Sequence, residues 1–229
     1  MERQFANSSP NGNRAVLLLG PTGSGKTPLG RIIQQRGLWG ADCLHFDFGA
    51  NLREVVDRNR PDDLIGRADL DFLRRVLETG ALLEDEQFPV AERILRRFMT
   101  ARATNRRTQI ILNGLPRHAG QARAIDGVLD VRALVHLECS RETVLQRIRS
   151  NVGRDRTGRK DDGPESVGDK LKTFAERTKP LLAYYRRRGA RLETIHVTGT
   201  MTPEQMWESL GPRGGHGRRC RPQGRHIPR

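Results

Sequence analysis

The chain has 229 residues, enough for one domain of good size with a small inserted lobe; 35% of them are hydrophobic and 5% aromatic. No apolar run approaches the roughly 20 residues that cross a bilayer, and the polar first residues lack the apolar centre of a signal peptide, so the expected location is the cytoplasm, with no membrane partner. The formal charge of +14 points to anionic partners, but no aromatic residues interleave the basic ones as a base-stacking surface requires, which argues against nucleic acid as the partner of the chain's body.

Residues 1–13 are polar and are expected to be flexible. The apolar run Ala15 to Gly20 reads as a first strand, and Lys26 to Gln35 as the helix that follows. Further strands are expected at Cys43 to Phe48, Gln109 to Asn113, Ala133 to Cys139 and Glu193 to Val197. All are near-continuous apolar runs, as strands covered on both faces are. Helical spacing runs through Leu70 to Glu78, Val90 to Arg102 and Arg141 to Arg149. Glu165 to Arg188 reads as a long helix or a pair, broken or kinked at Pro180. Thr202-Pro203 caps a last helix, Glu204 to Leu210. Strands alternating with helices predict an α/β fold: a parallel five-stranded sheet with helices on both faces. Residues 49–107 hold several helices and are expected to form a side lobe, and the polar, glycine-rich residues 150–164 a mobile loop. Residues 14–210 thus make up the domain. From Gly211 to Arg229 there are six arginines and no acid; that tail is expected to be disordered, with at most weak, nonspecific binding to anions. Cys43 and Cys139 sit in apolar runs and are expected to be buried free thiols; with Cys220 they share no metal-like spacing.

One motif carries chemistry. Between the first strand and its helix stands GPTGSGKT, residues 20–27, the GxxxxGK[ST] pattern of a phosphate-binding loop. Such a loop turns its backbone N–H groups inward around a phosphate so tightly that Gly20, Gly23 and Gly25 leave no room for side chains, and Ser24 joins the wrap. The helix that follows adds its positive end. Lys26 would reach the β- and γ-phosphates, and the Thr27 hydroxyl would ligate Mg²⁺. Pro28 is tolerable one residue on, because first-turn N–H groups have no partner within the helix.

Other segments narrow the function: DFGANLR (Asp47 to Arg53), TGALLEDE (Thr79 to Glu86), LNGLPRHAGQA (Leu112 to Ala122), VLQRI (Val144 to Ile148), RKDD (Arg159 to Asp162), TKPLLAYYRRRG (Thr178 to Gly189) and VTGT (Val197 to Thr200). In this order, from about Arg14 to Leu210, the sequence resembles the adenylate kinase family of P-loop nucleoside monophosphate kinases. The resemblance implies a reversible transfer, Mg·ATP plus AMP to two ADP, by a monomer with a monophosphate-binding lobe and a short lid without a zinc site. It implies that Lys26, Arg117, Arg147 and Arg159 are catalytic. ATP would be held by the loop together with Arg147 and Gly199. AMP would be held by Arg53, Gly114 and Arg117, with Gln121 reading the base and backbone from Ala81 to Leu83 lining it. Asp161 and Asp162 would fasten the closed lid.

Three departures stand against the family pattern. Asn113 takes the place of an aspartate that helps arrange Mg²⁺. Neither Ala50 nor Asn51 supplies the acid usual after the second strand. Lys170 and Asn151 replace arginines. Asp47, ending the second strand, is the acid placed to compensate, either toward Mg²⁺ or as a base toward a hydroxyl acceptor. Two other readings therefore stay open beside a monophosphate kinase: a P-loop kinase of another small acceptor that uses Asp47, and a nucleotide-binding protein of weak activity.

Overall fold

The computed structural model describes residues 13–102, 104, 107–155 and 163–211. The expectations for the N-terminal residues to 12, for Arg159, Asp161 and Asp162, for residues 156–162 of the 150–164 loop and for the tail beyond Gly211 lie outside the described residues.

Five parallel strands form the centre: β1 (Asn13–Leu19), β2 (Cys43–Asp47), β3 (Gln109–Asn113), β4 (Leu129–Glu138) and β5 (Arg191–His196), in the order β2-β3-β1-β4-β5. Parallel strands need crossovers, and eight helices supply them among the described residues: α1 (Lys26–Arg36), α2 (Phe48–Arg58), α3 (Arg67–Thr79), α4 (Phe88–Ala101), α5 (Ala119–Ile125), α6 (Arg141–Ser150), α7 (Pro164–Thr173) and α8 (Leu181–Arg187); α9 (Pro203–Ser209) follows the last strand. The side-chain alternation of a strand splits the core in two. Ala15, Leu17 and Leu19 of β1 pack with Phe46, Ile110 and Leu112 and with Leu52, Leu70, Ile94 and Leu95 of α2–α4. Val16 and Leu18 face the other way, with Ile111, Val135, Leu29 and Ile33 of α1 and Met206 of α9. Both faces of β1, β3 and the second half of β4 are buried, which is why those strands read as apolar runs.

The sequence boundaries need four adjustments. β2 ends at Asp47, and Phe48 already begins α2, because the Asp47 side chain accepts from the Ala50 N–H and caps that helix. β4 begins at Leu129, four residues before the apolar run, because its first residues pair with Asn13, Arg14 and Ala15. Helix α5 has no helical signal of its own in the apolar pattern; seven residues long, it stands on tertiary contacts through buried Ala122 and Ile125. Between α7 and α8, Phe174–Thr178 forms a π-helical turn, with Lys179 N–H reaching the Phe174 carbonyl at 2.8 Å. The backbone stays helical through this turn, and the wider winding takes up Pro180, which has no N–H and whose ring crowds an ordinary α turn.

Strand order places the site. The chain leaves β1 for β2, returns to β3, then passes to β4 on the far side of β1. The crevice beyond the carboxyl ends of the strands at such a reversal is where α/β sheets bind ligands. The glycine loop sits there.

Candidate active site

Gly23 and Gly25 stand at φ of 72° and 98°, and Gly25 is the N-cap of α1. A Cβ at Gly25 would lie 3.0 Å from Nη2 of Arg147, and one at Gly23 would lie 2.9 Å from Cγ1 of Ile148. Dihedral and space thus both demand glycine. Lys26 Nζ donates to the carbonyls of Gly20 and Pro21, each at 2.7 Å, so the ammonium is held over its own loop. Ser24 is fully buried, and its Oγ has no partner among the described residues.

Behind the loop three side chains meet. Thr27 Oγ1 donates to Asp47 Oδ2 at 2.6 Å, and Asn113 Nδ2 donates to both Thr27 Oγ1 and Asp47 Oδ2 at 2.9 Å. Asp47 and Asn113 are register partners on adjacent strands, so the acid lies one strand over from where the resemblance expects it. One carboxylate oxygen of Asp47 caps α2 while the other turns to Thr27. Thr27 and Asp47 offer hard oxygens to a small dication, and the Asn113 amide orients the carboxylate; this donor set suits Mg²⁺, which takes few protein ligands and keeps water and phosphate for the rest. Among the described residues no group of three or more His, Cys, Asp or Glu forms a metal cage.

These groups line one end of a cleft of about 460 Å³ that continues past Asp47 to Gly49, Arg53, Gly80, Ala81, Leu82, Gly114 and Arg117, and is closed on one side by Lys170, Phe174 and Arg177. Arg53 is exposed and lies over Gly49, with no carboxylate partner among the described residues. Arg117 reaches the cleft floor after Pro116. Burial, helped by the like charge of Arg177, pulls its proton affinity below that of an ordinary arginine. Cations at both ends of one cleft make a place for two phosphate-bearing groups.

Arg147 is not in the lining. It is 3% exposed, and its guanidinium donates to the carbonyls of Gly23 at 3.3 Å and of Thr198 and Met201 at 2.8 Å each. It ties the glycine loop to the loop between β5 and α9, where Gly199 packs against Gln146. Gln121 and Leu83 also lie behind the wall. Gln121 is 2% exposed; its amide donates to the Leu83 carbonyl at 2.7 Å and accepts from the Arg117 N–H at 2.8 Å. His118 Nε2 shares that carbonyl at 2.9 Å. The 81–83 strip is thereby fastened to the loop that carries Arg117. Of the residues expected at the site, the fold brings Gly20, Gly23, Gly25, Lys26, Thr27, Asp47, Arg53, Ala81, Gly114 and Arg117 into one cleft; Ser24, Leu83, Gln121, Arg147 and Gly199 stand behind its walls. Arg177 was missed. Its only signal in the sequence is its place seven residues after Lys170 in the same helical run.

A family model described as an AAA domain matches residues 16–168. The adenylate kinase of Thermus thermophilus is 30% identical over 203 residues, 86% of this chain and 95% of that protein. The adenylate kinase of Deinococcus radiodurans is 30% identical over 208 residues with the same coverage, and that of Methylobacterium radiotolerans 32% over 192 residues, 79% and 86%. The chain belongs to the adenylate kinase family. This kinase has the family's glycine loop and two-ended cleft, with its acid on β2 instead of β3. No helix among the described residues is long and apolar enough to cross a membrane.

Proposed function

We propose that this kinase transfers the γ-phosphoryl group of Mg·ATP to a nucleoside monophosphate, AMP before the others, in a reversible reaction giving two diphosphates. The observation that carries the reading is the single cleft with the glycine loop and Lys26 at one end and Arg53 and Arg117 at the other. Little covalent work falls to the protein in such a transfer, so rate comes from holding donor and acceptor in line and from cations where negative charge gathers. Loop N–H groups and the start of α1 hold the donor phosphates, and Lys26, a short way from its present carbonyl partners, follows the charge on the γ-phosphate. Arg53 and Arg117 hold the acceptor phosphate, for which planar guanidinium forks suit two oxygens at once. Arg147, holding three carbonyls, keeps the loop in shape. The bound Mg²⁺, held through Thr27 and Asp47, would neutralise charge on the donor phosphates. Arg159 would close from the lid over the donor.

The Asp47 contacts favour this reading over a base acting on a hydroxyl acceptor: Oδ2 is taken by Thr27 and Asn113 on the donor side, and Oδ1 caps α2. The test is purified protein with Mg·ATP and each of AMP, CMP, GMP and UMP. ADP formation with AMP as the best acceptor is expected; no turnover with any of the four would overturn the proposal.

A further inference from the structure

Five cations line the cleft, Lys26, Arg53, Arg117, Lys170 and Arg177, against two carboxylates, Asp47 and Asp155. Arg117 and Arg177 stand close enough to repel one another, and that repulsion favours a multiply charged anion between them. Arg177 is the unexpected member. It belongs to the π-helical turn, in the same helical run as Lys170, whose ammonium is a point charge where the resemblance expects a two-pronged arginine. Its guanidinium pairs with Glu84, two residues past the cleft-lining Leu82, through Nη1 to Oε1 at 2.5 Å and Nη2 to Oε2 at 2.6 Å. The pair is open to solvent, the side chains being 37% and 48% exposed. An exposed pair of this kind is weak and exchanges readily for a stronger anion, whereas the same fork on a phosphate dianion meets two charged oxygens in a partly desolvated cleft.

We propose that Arg177 is a binding residue for the acceptor phosphate, supplying with Arg117 the fork that Lys170 lacks, and that Glu84 holds it aligned until the acceptor displaces the carboxylate. This rests on the monophosphate kinase reading. Glu84 and the acceptor phosphate then compete for one guanidinium, so changes at the two residues act in opposite directions. A pair that merely fastened the lobe to the helix would respond to loss of either partner in the same direction.

The experiment is steady-state kinetics on the full chain with Mg·ATP and the best acceptor of the four-nucleotide panel, using R177M, R177K and E84Q. R177M should raise the acceptor KM about tenfold or more with the ATP KM within about twofold, R177K should recover part of the loss, and E84Q should lower the acceptor KM about two- to fivefold. Calorimetric titration of the same monophosphate without ATP should follow the same order. An acceptor KM unchanged in either R177M or E84Q, or raised in both, overturns the assignment while leaving the kinase reading intact. Absence of turnover by the wild-type chain on all four nucleotides overturns the kinase reading and this inference with it.

Discussion

Under the proposed function, Asp47 and Asn113 would divide between them a task that one carboxylate performs in the family pattern. Asparagine beside aspartate avoids the repulsion of two acids 2.9 Å apart and donates a hydrogen bond that fixes the acid's direction. Asp47→Asn keeps the helix cap, since asparagine caps as well as aspartate, so it should fold normally yet lose turnover by about 100-fold and need more Mg²⁺ for half-saturation; a Mg²⁺ titration of initial rates checks both. Asn113→Asp should lower the melting temperature in the absence of Mg²⁺ at neutral pH, with Mg²⁺ restoring it, because two carboxylates would then share the site; thermal unfolding with and without the ion reads this out. Arg147 is a second case where one residue's duty is to other parts of the protein. Burial lowers its proton affinity, and its guanidinium is stabilised by three carbonyls. Arg147→Met should cost about 3 kcal/mol through unpaired carbonyls, measured by urea unfolding.

At the scale of elements, α1 lies on β2 with almost no space between them. A Cβ at Gly30 would fall 2.3 Å from Nε2 of His45, whose ring packs there with that nitrogen buried and without a hydrogen-bond partner among the described residues. Gly30→Ala should therefore destabilise by about 1–3 kcal/mol despite alanine's better helix propensity. The cost should vanish in a His45→Ala background, a double-mutant cycle read by denaturant unfolding. The turn at Phe174–Thr178 shows the same coupling of element and site. Pro180 dictates an irregular winding, and that winding carries Phe174, Arg177 and Thr178 at the cleft wall.

For the whole molecule, His45 links packing to pH. Burial lowers its pKa from 6.5 to about 4, the nearby Asp47 opposing and Arg31 assisting. A folded-state value below the unfolded one means that the unfolded chain takes up the proton first. Stability is thus complete above pH 6.5 and is lost as pH falls from 6.5 toward 4, by up to about 3 kcal/mol. Asp62 and Glu84, both lowered, lose their contributions at more acidic pH, Asp62 through its backbone hydrogen bonds and Glu84 through Arg177. The difference in unfolding free energy between wild type and His45→Leu, followed from pH 7 to 4, should isolate the histidine.

The sequence by itself determined the glycine loop with Lys26 and the parallel sheet, while Arg53 and Arg117 are expected only from the resemblance. The first two are local matters: glycines that φ and close approach require, and apolar runs that burial on two faces requires. Only the tertiary structure decided which acid meets Thr27, because that follows from the register of β2 on β3 across 66 residues of chain. It also decided that Gln121 and Arg147 turn into the walls, since buried polar groups go to whatever partners the packing leaves unsatisfied. Arg177 came last into view for the same reason. A π turn shifts the helical phase, and no periodicity read along the chain foresees it.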